Sequence, residues 1–363
     1  MLSGSGMPGY RGKSVKLGCR NIKRHFFTNP FEITMTQRPH RAHAIKTIFL
    51  CAGVCMASSA IAQTKPYPDK PVRVVVPFPP GGAIDIIARH ITQKLSEAFA
   101  MQFVVDNRGG AGGAIGTESV ARATPDGHTL LVSSTSPMAI NPHINKLKYD
   151  PLSGFSSVGM IGFTPEVLVV HPSLPARSVK DVIAMGRARP GALSFASSGV
   201  GTIIHVTAEL FAQRAGIQML HVPYKGAAPA VIDTVAGQVT MLFAAYPSVS
   251  GQVRAGKLKA LAVTSLKRIN VAPELPTLAE SGLAGFESNQ WWALSGPAGL
   301  PGTVVTRLNT ELSRALHTDD MRKRFAVDGA EPLSGTPAEL TTYIKSEYEK
   351  WGAVVRDAGI KGE

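Results

Sequence analysis

The sequence predicts an α/β protein of two lobes, and three observations carry that reading. Short β-branched runs alternate with helical-period segments from Val72-Arg-Val-Val-Val76 onward, the pattern of a sheet covered by helices on both faces. The pattern pauses near Asp150-Pro151 and resumes as a second set. The last part of the chain has long amphipathic helices but too few strands for a domain of its own, so it is expected to return to the first set. A length of 363 residues suits two domains. Lobe 1 is expected at 63–166 with 287–363, and lobe 2 at 167–286.

In the first lobe, the strand at 72–76 runs through a glycine turn into a helix over Ala83–Phe99, whose Ile84, Ile87, Ala88, Ile91 and Leu95 share a face. A strand at Phe103–Asp106 leads through a glycine-rich turn into a helix ending at Ala121, and Pro125-Asp-Gly127 turns into a strand at Thr129–Ser133. Such alternation predicts a mostly parallel sheet. The second lobe reads as strands at Val167–Val170, Leu193–Ala196, Gln218–Val222, Thr240–Ala244 and Ala260–Thr264, with helices at Val179–Ala188, Ile203–Arg214 and Ala228–Ala236. The apolar Gln290-Trp-Trp-Ala-Leu294 follows, then helices at Val304–Leu316 and Ala338–Val355. Two lobes joined by crossovers place a ligand in the cleft between them.

The net charge of +13 is unevenly spread. Residues 1–62 hold nine of the 38 Lys and Arg and one of the 25 acids, which leaves +5 for residues 63–363. The basic excess is therefore no argument for nucleic-acid binding. Arg38, Arg41 and Lys46 precede a short apolar run, Thr47–Ala57, and then Ala60-Ile-Ala62. That is the layout of a secretory signal, expected at 35–62 with cleavage after Ala62, and residues 1–34 read as an upstream extension that need not be translated. Cys19, Cys51 and Cys55 all fall before the cleavage point, so cysteine chemistry is not expected in the mature chain. Val54 is larger than the residue a lipid-anchor Cys55 would follow. No later segment has 18 uninterrupted apolar residues, and the mature protein is expected to be soluble.

Two glycine turns open helices. Pro77-Phe-Pro-Pro-Gly-Gly-Ala-Ile-Asp85 exposes N–H groups at a helix start, where the dipole favours an anion. It lacks the G-K-[ST] of a phosphate loop; Asp85 is free either to favour the dipole or to meet a ligand. Ser197-Ser-Gly-Val-Gly-Thr202 repeats the strand, small-residue and helix order, but neither serine has the glycine two places earlier that a nucleophile elbow needs. His205, one turn into that helix, either donates to an anion or packs against a neighbour. Gly110-Ala-Gly-Gly-Ala-Ile-Gly116 fails the dinucleotide spacing at Ile115 and reads as a tight turn. Lys225 reads as a turn or hinge lysine, and Trp291 and Trp292 as core or lobe-interface residues. No metal-ligand cluster appears, so neither a metal nor a cofactor is expected.

These pieces taken in order resemble the Bug-type extracytoplasmic substrate-binding proteins of tripartite tricarboxylate transporters. The matching stretches include Pro77–Gly82 with Asp85 and Arg89, Asn107–Gly113, Pro125–Leu130, Ser198–Thr202 with His205, Val222-Pro-Tyr-Lys-Gly226, and Trp292 with Gly296-Pro-Ala. The resemblance implies a periplasmic-binding-protein fold of the two-lobed, type II-like "Venus flytrap" kind. It implies a non-enzymatic, periplasmic and monomeric receptor that captures a small carboxylate and delivers it to membrane permease subunits, without nucleic acid. Carried over residue by residue, the first-lobe contacts are Phe78, Gly81, Gly82, Ala83, Ile84 and Asp85. The second-lobe contacts are Ser198, Gly199, Thr202 and His205, and topology adds Ser134 and Tyr246. Ile84 stands where the family commonly has a small polar residue, which points to a ligand with one well-held carboxylate on an apolar or aromatic body. The alternatives are a secreted α/β enzyme using His205 and Asp85 as base and orienter, and an orphan ligand-sensing binding protein.

Overall fold

The computed structural model describes residues 66–361, so the segment expected to be a signal, the extension before it and the three cysteines lie outside the described residues. The strands are β1 (Val72–Val76), β2 (Phe103–Asn107), β3 (Thr129–Ser134), β4 (Phe155–Val170), β5 (Leu193–Ser197), β6 (Met219–Pro223), β7 (Met241–Ala245), β8 (Lys259–Val263), β9 (Asn289–Pro297) and β10 (Glu331–Pro332). The α-helices are α1 (Ala83–Phe99), α2 (Ala114–Ala121), α3 (Val179–Ala188), α4 (Ile203–Ala215), α5 (Ala227–Val235), α6 (Tyr246–Arg254), α7 (Gly302–Leu316), α8 (Asp319–Val327) and α9 (Pro337–Asp357).

The strands form one continuous order, β2-β1-β3-β9-β4-β7-β5-β6, with β8 and β10 also pairing β4. The expectation of a mostly parallel sheet holds only away from the centre. β1 is parallel to β2 and β3, and β5 to β6 and β7. β4 and β9 run antiparallel to their neighbours. The reason is topological: β4 carries the chain out of the first strand set and β9 brings it back, so the two must run in opposite directions.

β4 is 16 residues long, although only its last four have the β-branched signature. Phe155–Pro165 pairs with β9, whereas Glu166–Val170 pairs with β7 and β8. Serines, glycines and Pro165 interrupt the apolar pattern of the first part, and its register with β9 shifts twice. Tertiary pairing overrides weak local propensity there.

α1 forms as its periodicity predicts, burying Ile84, Ile87, Ala88, Ile91 and Leu95, with each isoleucine and Leu95 worth about 1.5–3 kcal/mol when fully removed from water. α9 starts with a Thr336–Glu339 capping box and Pro337 in its first turn. α6 and α8 are not legible as helices. α6 opens Tyr-Pro-Ser and contains Gly251, and α8 is largely charged, with only Met321 and Phe325 buried. One apolar cluster lies under α1, α7 and α8, a second within the 168–286 region, and a third joins Met138–Ile140 to Ile203, Ile204 and Trp291 beneath the cleft. Trp291 and Trp292 are both wholly buried. Among the described residues no helix is long and apolar enough to cross a membrane, and no three His, Cys, Asp or Glu side chains could share a metal ion.

Candidate functional site

The turn between β1 and α1 is organised by Asp85. Its carboxylate accepts from the Gly81 N–H (3.1 Å), from Arg89 Nε (3.1 Å) and Nη2 (3.0 Å), and from Asn107 Nδ2 (3.0 Å). The same Asn107 nitrogen donates to the Phe78 carbonyl (3.1 Å). Gly81 adopts φ +90°, which a side chain would strain. Asp85 is only 4% exposed. Burial alone would raise its carboxyl, but the bonds from Arg89, Gly81 and Asn107 outweigh it and hold the group below the usual carboxylate range. Gly82 caps α1 in extended conformation with no side-chain bond of its own. The Ala83 N–H instead donates to Ser248 Oγ on α6 (3.1 Å).

The turn between β5 and α4 is held by neutral groups. Ser197 Oγ accepts from the Gly199 N–H (3.1 Å) and lies 2.6 Å from His221 Nε2 on β6. The Gly201 N–H donates to His205 Nδ1 (3.4 Å). The His205 and His221 rings stack at 4.2 Å, and His221 stacks on Phe195 at 4.7 Å. Burial pushes His221 down to about 4; burial and then the neighbouring His221 push His205 down to about 3. Both are neutral at ordinary pH, so the 3.7 Å approach of His205 to Glu209 is a contact and not an ion pair. Thr202 caps α4, accepting from the His205 N–H (3.4 Å) and donating to the Gly199 carbonyl (2.7 Å). The Ile203 N–H donates to Ser136 Oγ, in the turn after β3 (2.9 Å). Each helix start thus receives a serine hydroxyl from across the cleft.

The two starts face a chamber of about 30 Å³, lined by Gly82, Ala83, Ile84, Ser136, Ser248 and Gln290 among others, room for one or two waters. Phe78, Pro79 and Ser198 line both this chamber and a wider outer cleft of about 570 Å³. Lys146, Lys148 and Lys225 line the outer cleft, with Glu118 its single acid. The cleft is closed: a Cβ on Gly112 would lie 2.8 Å from the Val200 carbonyl oxygen, and one on Gly81 3.6 Å from Ala228 Cβ.

Of the residues expected at the site, Phe78, Gly82, Ala83, Ile84 and Ser198 line the inner chamber, and Gly199 lines the outer cleft with Phe78 and Ser198. Gly81, Asp85, Thr202 and His205 line neither, and their polar atoms bond within the turns that shape the site. Ser134 and Tyr246 lie elsewhere. Ser134 ends β3 opposite Trp292 with its buried hydroxyl unpartnered, outside both linings. Tyr246 packs over Gly329 and lines a separate groove with Val253 and Leu275, because its position at the start of α6 turns its ring away from the cleft. Sequence reading missed Ser136, Ser248 and Gln290. The first two follow strand ends at matching places in the two strand sets, and that correspondence was their only sequence signal.

Residues 87–360 match the family model described as "Tripartite tricarboxylate transporter family receptor" (TctC). The "UPF0065 protein in tcbD-tcbE intergenic region" of Pseudomonas sp. (strain P51) is 42% identical over 309 residues, 84% of this chain and 92% of that protein. "Protein BugT" of Bordetella pertussis is 37% identical over 314 residues, 85% of this chain and 96% of the relative. Among solved structures, "R. palustris Rpa4515 with adipate" superposes with a TM-score of 0.80 at 36% identity, covering 82% of this chain and all (100%) of the other. The family match and this similarity along the chain agree: the protein belongs to the TctC family of tripartite tricarboxylate transporter receptors.

Proposed function

We propose that the protein captures a small organic acid between two lobes, 63–166 with 287–363 and 167–286, and passes it to membrane permease subunits of a tripartite tricarboxylate-type transporter. The observation that carries this reading is the convergence of two helix starts on one chamber, each with first-turn N–H groups and a serine hydroxyl from the opposite side. Such ends favour a negative charge. The acid's body would occupy the outer cleft, whose volume suits a small molecule. Its three lysines give that cleft a positive rim, and the related Rpa4515 structure holds adipate.

Ile84, apolar and facing the inner chamber, would favour one firmly held carboxylate. Phe78, Gly82, Ala83, Ser198 and Gly199 are the further proposed contacts, with Gly81, Asp85, Thr202 and His205 shaping the turns. We read the site as one of binding without catalysis. The bonds of His205 and Asp85 run to their own turns, and Ser197 is buried behind the loop it holds. We also place the protein in the periplasm as a monomer, after cleavage following Ala62; N-terminal sequencing that finds residues upstream of Gln63 would overturn the cleavage.

Mass spectrometry of the small molecule that co-purifies with the protein, followed by calorimetry with succinate, malate, adipate, citrate and benzoate, tests the function. The expected result is binding of at least one mono- or dicarboxylate. A neutral co-purifying compound, with no binding of any acid, would overturn the carboxylate reading. Tight binding of citrate alone would overturn the single-carboxylate preference.

A further inference from the structure

At the floor of the inner chamber, where β4 leaves β9 for β7, three buried side chains form a chain of bonds. Gln290 lines the chamber. With its Oε1 accepting from the Trp292 indole N–H (3.2 Å), its Nε2 donates to Glu166 Oε1 (3.3 Å). An indole N–H can only donate, so Trp292 decides that orientation. One amide proton of Gln290 goes to Glu166, which leaves the second without a protein acceptor in a residue that lines the chamber.

Glu166 is wholly buried, and its Oε2 has no partner. Its backbone is pinned at the junction, the N–H donating to Thr264 Oγ1 (2.8 Å) and the carbonyl accepting from the Thr264 N–H (2.9 Å). It faces Ala245 from β7, Thr264 from beyond β8 and Gln290 from β9. Of the titratable groups on the elements packed there, Glu287 accepts from Asn289 (3.1 Å), Asp328 pairs with His90 (3.2 Å), and Tyr246 packs over Gly329. None of them bonds Glu166, and among the described residues no cation does. We infer that Gln290 is a ligand donor at the floor of the chamber, and that Glu166 is the positioning residue behind it, whose proton permits an anion to be held there.

The inference rests on the carboxylate reading above. An ionised Glu166 would set a negative charge directly behind the amide that meets the ligand's carboxylate, in surroundings that screen it poorly. Burial without a cation pushes the Glu166 carboxyl up to about 8. Anion and proton therefore favour each other's binding, by the same factor in both directions. The folded state holds this proton more tightly than the unfolded chain does. Its stabilising contribution is thus full below the ordinary carboxylate range and is lost as pH rises toward about 8.

Glu166→Gln removes the titrating proton but keeps an acceptor for Gln290. Melting temperatures of wild type and Glu166→Gln without ligand, from pH 5 to 9, should differ by an amount that moves in favour of the variant as pH rises to about 8. A difference constant with pH, the signature of a purely structural effect, would overturn the role of Glu166. Calorimetry with malate, adipate and benzoate reads the other half. Wild-type affinity should fall by up to about tenfold per pH unit above 8, Glu166→Gln should stay level, and Gln290→Leu should bind weakly throughout. If Gln290→Leu does not melt cooperatively, the shorter Gln290→Asn replaces it with the same expectation. Wild-type affinity in either Gln290 variant overturns the donor role. Failure of these three acids, and of succinate and citrate, to bind wild type overturns the carboxylate reading and the donor role together, while the ligand-free melting still decides the proton on Glu166.

Discussion

The two helix starts line the same chamber but are built from different chemistry. The β1–α1 turn is tied by charge, with the Asp85 carboxylate gathering Gly81, Arg89 and Asn107. The β5–α4 turn is tied by neutral acceptors, Ser197 and His205, backed by the Phe195–His221–His205 stack. Two turns around one chamber can thus rest on groups of different charge, one ionised and the other neutral, although each group must stay deprotonated. The first turn needs a proton to stay off Asp85, whose carboxyl is already held low. The second needs protons to stay off two imidazoles.

The largest effect should come from removing the charged hub. Asp85→Ala leaves the Gly81 N–H without an acceptor, Asn107 Nδ2 with the Phe78 carbonyl alone, and Arg89 without its carboxylate partner. It should cost about 2–3 kcal/mol of unfolding free energy, a figure kept modest because Arg89 is half exposed to screening solvent. Asp85→Asn, which keeps one acceptor, should cost less. Denaturant melts measure both, and a loss below about 0.5 kcal/mol for Asp85→Ala would mean that the turn is held by its prolines and glycines alone.

Acid should separate the two turns. A histidine whose folded value is depressed contributes stability that is present above its unfolded value and lost as pH falls through the folded one. Wild-type stability should therefore decline from about 6.5 toward the values of about 4 for His221 and about 3 for His205. The two histidines together should account for about 1–2 kcal/mol of that decline, allowing for the partial exposure of His221. His221→Gln retains an acceptor for Ser197 without a titrating ring, so its melting temperature should fall less steeply over this range. An identical acid limb in the two proteins would remove His221 from the account.

The smallest effect concerns what the turns share. Ser136→Ala and Ser248→Ala each remove one hydroxyl that crosses the cleft to a helix start. Each should cost about 0.5–1 kcal/mol, as for other N-terminal caps, with additive costs in the double variant because the sites are separate. Calorimetric melting of the two single variants and the double variant checks this. A cost confined to one serine would show that only one helix start depends on its partner across the cleft.

Elements that bury one face by local periodicity were readable before any fold was known. α1 and α3 have the expected boundaries, and β1 matches residue for residue. The first part of β4 was not readable, because Ser156, Ser157, Gly159 and Pro165 carry little strand propensity and are held by β9. At the site, both turns were visible as glycine-rich strand-to-helix junctions. The function of their side chains was not, since Asp85 and His205 could equally face a ligand or their own loop until hydrogen-bond partners were known.

The class of the protein follows from local properties of the chain. Alternating strands and helices define an α/β chain, and two glycine-rich turns place helix starts at Gly82 and Thr202, because backbone conformation and amphipathic period are local properties. Tertiary structure alone decided the rest. It set Ser248 on the Ala83 N–H, 165 residues away in sequence, Ser136 on that of Ile203, and Gln290 between Trp292 and the uncompensated Glu166. A hydrogen bond between distant residues depends on which strands pair and how the cleft closes, and neither leaves a mark on the short stretches that supply its two ends.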